Sequence, residues 1–284
     1  MLLLEFVLLV ILTGIVAGLV GSLTGLGGAV VVIPVLLIAF DTPFPIAAGA
    51  GLVTVLATSS TSGAVYLRDR LSDLRIGMFL EIATVPGAIL GAAATVFLTH
   101  ANLDRALLIA LGGVLLATIP GALRRRHADG RPPAPQDQRS RALGLEGSYV
   151  DERGQSVAYR AARTNPALGV AYGAGIVSGM FGIGGGVFKV LSMEHYLGLP
   201  MKVATATSNF MIGVTAAAGA GVLLAAGYVD PFVAAPVAVG TAIGAFVGSQ
   251  ILPRLRNQTV RLLFLPVIAI LAVEVILRGL GVIR

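Results

Sequence analysis

The sequence predicts an all-α polytopic membrane protein: two inverted repeats of about five hydrophobic segments each, with short glycine-broken segments meeting near the midplane. Three observations predict it. The composition is 56% hydrophobic and 12% charged, against about 25% charged for a soluble domain. Apolar runs of about twenty residues follow one another, the length that crosses ~30 Å of hydrocarbon. A stretch of the first half, AGLVGSLTGLGGAVVV at 17–32, returns in the second as AGIVSGMFGIGGGVFK at 174–189. The ~10-residue alternating segments of a membrane β-barrel do not occur.

The hydrophobic segments run over 2–23, 29–40, 46–67, 76–98 and 103–123, then over 166–181, 187–197, 203–227, 232–252 and 261–281. The opening MLLLEFVLLVIL has no basic stretch ahead of it and reads as the first membrane helix, not a cleaved signal. Between the halves, residues 124–164 hold nine arginines against five acids, with three prolines. That composition reads as a solvated, partly disordered linker. The expected organisation is therefore a membrane repeat over 1–123, a linker over 124–164 and a second membrane repeat over 165–284.

An offset of 157 residues relates the halves: Ala17, Gly18, Val20, Gly25, Gly27, Gly28 and Val30 fall on identical residues. Without a gap it also places Pro43 on Pro200, Ala47 on Ala204 and Thr58 on Thr215, which is an internal repeat. Basic loops lie on the cytoplasmic side of membrane proteins. The loop RDRLSDLR at 68–75 is basic and THAN at 99–102 is not; in the second half GYVDP at 227–231 is not basic, whereas PRLRNQTVR at 253–261 carries three arginines. Equivalent loops thus fall on opposite sides, so the repeats are inverted. The linker falls inside, and the expected location is the cell's inner (plasma) membrane.

Segments 29–40 and 187–197 are too short to cross alone at 1.5 Å per residue. Each follows a glycine cluster, GSLTGLGGAV or SGMFGIGGGV. Paired short, glycine-interrupted segments mark the binding sites of inverted-repeat transporters. Irregular backbone at membrane depth survives only inside protein or along a wet cavity. Freed amides there make an anion-binding nest, and a helix starting near Ala29 or Val187 aims its positive end at the same spot. The candidate binding residues are Gly25, Gly27 and Gly28 with flanking Thr24, and Gly182, Gly184, Gly185 and Gly186 with flanking Phe181. The GxxxG spacings Gly14/Gly18, Gly87/Gly91, Gly240/Gly244 and Gly244/Gly248 read instead as helix packing.

Lys189 lies two residues into the second short segment, where the first half has Val32; the chain's other lysine is Lys202. An intramembrane lysine is functional by default, so Lys189 is a candidate substrate or counter-charge contact. The alternatives are snorkelling to an interface and pairing with Glu194. Thr205, Thr207, Ser208 and Asn209 follow the second cluster, and a hydroxyl-rich stretch containing Thr58 follows the first. Such groups donate to an oxyanion without carrying charge, although any single one is better explained by bonding back to a helix carbonyl. Glu81 and Glu274 are candidate carriers of a coupling proton, with an interfacial anchor as the favoured alternative. Glu274 stands four residues from Arg278, a spacing that permits a helix pair.

Other classes are disfavoured. There are no cysteines and the three histidines, His100, His127 and His195, are scattered, which argues against a thiolate or histidine metal site, and no cofactor is expected. The net charge of +6 comes largely from the linker and not from a nucleic-acid face. Gly182 and Gly184 lack the third glycine of a dinucleotide loop. No histidine sits mid-segment beside a serine, so an intramembrane enzyme is not expected.

The stretches GLVGSLTGLGGAVVVIPVL, GIVSGMFGIGGGVFKV and LPMKVATATSNFMIGVTAAAGA resemble the TauE/SafE sulfite exporter family. The doubled Gly-x-Gly-Gly signature, each copy followed by a proline turn and an alanine- and threonine-rich helix, carries the resemblance, which covers the chain outside 124–164. It implies a secondary transporter for a small sulfur-containing anion such as sulfite, thiosulfate or a C2 organosulfonate like sulfoacetate, in many members plausibly coupled to a proton gradient. It also implies that the motif glycines and Thr205, Thr207, Ser208 and Asn209 serve the ligand. Ala29 replaces the last glycine of the first copy, and the first half lacks the Thr-Ser-Asn cluster. An anion channel, and a membrane protein whose linker binds a partner, are the alternatives.

Overall fold

The computed structural model describes residues 3–124, 136–150, 156–251 and 269–282. The basic loop 253–261, the first part of the last segment, and residues 125–135 and 151–155 of the linker lie outside the described residues. In chain order the elements are α1 (Leu3–Thr24), α2 (Ala29–Ala39), α3 (Phe44–Arg68), α4 (Leu74–His100), α5 (Asp104–Arg124), α6 (Gln138–Ala142), β1 (Glu146–Val150), β2 (Ser156–Arg160), α7 (Thr164–Phe181), α8 (Gly186–Leu191, continued by a π-helical turn Ser192–Leu197), α9 (Met201–Ala225), α10 (Pro231–Ile251) and α11 (269–279).

Among the described residues, five helices are long and apolar enough to cross a membrane: α1, α3, α4, α9 and α10. Two clear sets of five are not seen. For two of the segments the physical reason is length: α2 has 11 residues and α8 has 6 before its π turn, too few at 1.5 Å each to span hydrocarbon alone. Large apolar side chains cover the outside, with Ile82, Phe97 and Phe232 more than 70% exposed. Water would not tolerate so continuous an apolar surface; lipid does.

The helices pack as a pseudo-symmetric set: α1 lies on α10, α4 on α7, and α3 on α9. The glycines show how close these approaches are. A Cβ on Gly18 of α1 would fall 2.1 Å from the Thr241 carbonyl oxygen of α10, and one on Gly175 of α7 would fall 2.2 Å from the Thr84 carbonyl oxygen of α4. The offset of 157 takes Gly18 to Gly175 and Thr84 to Thr241, so these are one contact made twice. Gly87 against Tyr172 repeats as Gly244 against Ile15, and Gly91 against Ile176 as Gly248 against Leu19. The GxxxG pairs are thus packing residues: removing the side chain lets one helix backbone touch the next. Because each partner comes from the other half, the halves are interleaved and are not separate globules.

The described part of the linker corrects the expectation of a solvated chain: it carries a small hairpin beside the all-α membrane part. The strands β1 and β2 pair antiparallel, with Glu146 opposite Arg160 and Val150 opposite Ser156. The inward face of the hairpin is apolar, and Tyr159, Leu145 and Ala161 join Ile76, Leu80, Val190, Met193, Leu197 and Val203 in one buried cluster. Tyr159 Oη donates to Asp73 Oδ2 at 2.9 Å, and the Ala162 amide donates to the Leu197 carbonyl at 3.1 Å. Burial, and then the Asp73 charge, push the Tyr159 phenol above its usual pKa. A two-stranded hairpin is marginal in water; here the end of the helical bundle supplies the missing apolar partner, which the linker's own composition does not reveal.

Asp137 ties this segment down. It caps α6 by accepting from the Ser140 amide at 2.8 Å, and it accepts from the Thr164 amide and hydroxyl at 2.7 and 2.6 Å. Burial acts to raise its pKa, but these bonds and the Arg139 charge outweigh burial and hold the carboxyl below the usual carboxylate range. A depressed folded-state value stabilises above the unfolded pKa of about 4 and stops doing so as pH falls through the folded value. Limited proteolysis of the linker should therefore be slow at neutral pH and quicken in acid. Asp137→Asn should already be cut fast at neutral pH; equal rates for both proteins would show that the carboxylate does not hold the segment.

Candidate functional site

Both glycine clusters break the chain as their composition demands. The α1 helix stops at Thr24, Gly25 and Gly27 take φ of +72° and +75°, and α2 starts at Ala29. The second copy stops α7 at Phe181, with Gly182, Gly184 and Gly185 at +73°, +76° and +62°, and α8 starts at Gly186. A side chain in this left-handed region costs about 1–2 kcal/mol per residue, so glycine is needed at two positions in the first turn and three in the second.

The two turns touch. A Cβ on Gly186 would fall 2.2 Å from the Gly25 carbonyl oxygen and 2.8 Å from Leu26 Cα. Val55 lies between them, its methyls 3.1 Å from where a Cβ would stand on Gly27 or on Gly184. Ser208 Oγ, on α9, reaches the Gly25 carbonyl at 3.1 Å and the Gly186 carbonyl at 3.4 Å, one hydroxyl shared by both turns. The contacts cross over between halves: Gly25 packs on Thr205, and Gly182 packs on Ala48, its equivalent at the same offset. Gly25 and Gly182 spend their amides on Gly21 and Ser178 at 3.0 and 2.9 Å. The amides of Gly27 and Gly184 have no hydrogen-bond acceptor among the described residues.

The remaining predicted residues divide by what they touch. Thr24 donates to Val20 and Thr58 to Thr54, each back-bonded to its own helix. Asn209 Nδ2 ties the Ser22 and Thr205 carbonyls, both at 3.2 Å. Thr207 Oγ1 accepts the Asp73 amide at 2.9 Å. Phe181 packs edge-on to Phe44, with ring centroids 6.4 Å apart. Gly28 closes against the Ala17 carbonyl and Gly185 against that of Ala174, again equivalent contacts. Glu274 is half-buried on α11, and Arg278 turns away from it to the Leu37 carbonyl and Asp41. The permitted Glu274–Arg278 pair does not form.

Lys189 is fully buried and pairs with Glu81 of α4, Nζ to Oε1 at 3.2 Å. This corrects the expected alternative partner, Glu194. The ammonium has three donors, and all are placed: Glu81, the Met211 carbonyl at 3.2 Å and the Thr215 hydroxyl. Thr84 Oγ1 donates to Glu81 Oε2 at 2.6 Å, and Thr215 Oγ1 lies 2.9 and 3.0 Å from the two carboxylate oxygens. Glu81 is therefore no interfacial anchor. Each partner alone was visible in the sequence; that they pair was not, because 108 residues separate them. Thr84 and Thr215 were not predicted, and the signal for Thr215 was its place one heptad after Ser208 on the same face of α9.

The network occupies one of two equivalent places. The same offset takes Lys189 to Val32, Glu81 to Ala238, Thr215 to Thr58 and Thr84 to Thr241. The second place carries no charge, and Thr241 Oγ1 is buried there without a partner among the described residues. No group of acids and histidines that could hold a metal ion occurs among the described residues.

Residues 10–275 match the family described as "Sulfite exporter TauE/SafE". Among curated proteins, the chain is 26% identical to "Probable membrane transporter protein YunE" of Bacillus subtilis over 283 residues, covering 97% of this chain and 99% of that one. It is 27% identical to "Probable membrane transporter protein YdhB" of the same organism over 245 residues, covering 86% and 88%. It is 24% identical to "Probable membrane transporter protein MJ0441" of Methanocaldococcus jannaschii over 293 residues, covering 96% and 97%. No solved structure matches significantly.

Proposed function

Because this chain belongs to the TauE/SafE sulfite exporter family, and is thereby a multi-pass membrane transporter and not an enzyme, we propose that its cargo is a small sulfur-containing anion: sulfite, thiosulfate or a C2 organosulfonate such as sulfoacetate. It is carried by alternating access across the plasma membrane, with the linker cytoplasmic. The observation that carries this reading is the meeting of the two glycine turns under Ser208. Two opened helix ends are in contact there, and the amides a ligand would take are those of Gly27 and Gly184, one from each turn. An oxyanion fits such a nest, since backbone N–H groups satisfy its oxygens without a full opposing charge.

The binding set is Gly25, Gly27 and Gly28 with Gly182, Gly184, Gly185 and Gly186, closed by Ser208, with Lys189 as the nearby cation. The pseudo-symmetric packing of the halves, with α2 and α8 as matching short helices behind the glycine turns, supports inverted repeats that expose one central site to each side in turn. The packing favours moving bodies made of α1 with α10 and of α4 with α7, each drawn from both halves, about the central pair α3 and α9.

The test is thermal unfolding of the purified protein against sulfite, thiosulfate, sulfate, sulfoacetate, taurine and chloride. A ligand at a hundred times its Kd adds about 2.7 kcal/mol of stability. A shift for a sulfur anion that is lost in Gly184→Leu names the cargo class and places it at the turns. A shift for chloride alone would sink the sulfur reading.

A further inference from the structure

The geometry points to Glu81 as an internal stand-in for the cargo: its carboxylate holds Lys189 until a transported oxyanion takes the ammonium, and the released carboxylate then takes a proton, so that anion and proton travel together. This rests on the transporter reading above and adds what holds the Glu81 carboxylate and what releases it: competition between Glu81 and the cargo for Lys189.

Three observations carry it. First, the pair is closed, with all three ammonium donors and both carboxylate oxygens satisfied inside the protein. Lys189 offers no charge to a ligand in this arrangement; to serve an anion it must leave Glu81. Second, the ammonium and the anion nest adjoin. Lys189 lies in the first turn of α8 and its amide donates to Gly185 of the nest at 3.1 Å. Ser208, Met211 and Thr215 lie along one face of α9, with Ser208 on the glycine turns and Met211 and Thr215 on the ion pair. Third, the network is single. The equivalent place in the other half holds Val32 and Ala238, so the pair is not a requirement of the repeat's architecture.

The step balances. The anion's oxygens accept the Lys189 N–H donors. Glu81 is left a buried carboxylate that keeps the Thr84 and Thr215 hydroxyls but has lost its cation; a buried charge without a partner is costly, and it is neutralised by taking up one proton from the aqueous phase to become a carboxylic acid. When the anion leaves, Lys189 returns and the acid gives its proton up on that side. Lys189 of α8 is the charged group that faces Glu81. From α9 come Thr215 and the Met211 carbonyl, with Lys202 far off at that helix's start. The α7 helix meets α4 through Gly175 and Gly179, its titratable Tyr172 lying 39% exposed.

The test uses the full chain in vesicles holding a pH dye, with the membrane potential clamped, and adds thiosulfate and then sulfoacetate outside. Wild type should acidify the lumen in step with anion entry. Glu81→Gln should still exchange external for internal anion but leave the lumen pH unchanged. Glu81→Asp keeps the carboxyl group and should keep acidification, which guards against a Gln variant that fails to fold. Acidification that survives in Glu81→Gln, wild-type entry without acidification, or a folded Glu81→Gln that exchanges nothing each overturn the proposal while leaving the sulfur-anion reading standing. A wild type that moves neither anion overturns both.

Discussion

Gly186→Ala should abolish transport while the protein still inserts into the membrane. The added methyl carbon would sit 2.2 Å from the Gly25 carbonyl oxygen and 2.8 Å from Leu26 Cα. Both obstacles are backbone, so no side chain can swing aside, and the two turns must part. Overpacking of this kind costs about 1–3 kcal/mol, which a bundle of this size absorbs without unfolding. The geometry of the nest does not absorb it, because its donors come from both turns and a shift of an ångström misplaces half of them. Gly184→Ala is a different experiment: its φ of +76° is strained for alanine, but the neighbours are Val55 methyls that can yield. Gly221 supplies the control, since a Cβ there meets nothing within 4 Å. Anion uptake into vesicles, normalised to protein in the membrane, should be nil for Gly186→Ala and normal for Gly221→Ala. Wild-type uptake by Gly186→Ala would remove the contact between the turns from the mechanism.

Lys189→Met should be the most destabilising single change in the membrane core. It leaves the Glu81 carboxylate buried beside Thr84 and Thr215 with no cation, and breaking a buried pair from one side costs about 3–5 kcal/mol. Adding Glu81→Gln to Lys189→Met should recover most of that loss, since the double variant leaves no charge buried, but it should not recover transport. Thermal unfolding of wild type, the two single variants and the double variant closes a cycle, and the coupling term should be large for groups in direct contact. If the double variant is no more stable than Lys189→Met, the cost lies in packing and not in charge.

The sequence by itself determined that this chain lives in a membrane, that its halves repeat, and where its helices break. Composition, segment length and the glycine clusters are local properties, and each is enforced by a local penalty: unpaired backbone in lipid, or a side chain at positive φ. The 157-residue offset read from some forty residues holds as far as Gly91 and Gly248 in the packing. What the tertiary structure decided was everything set by partners distant in the chain. The hydroxyls offered as one polar group part company, with Ser208 on both glycine turns while Thr24 and Thr58 bond back to their own helices. Lys189 chose Glu81 across 108 residues instead of the nearby Glu194. A linker that reads as solvated found its apolar partner on the end of the bundle. A buried charge or an apolar hairpin face must find a partner, and the sequence declares that need; which partner meets it depends on how the interleaved halves bring distant segments together.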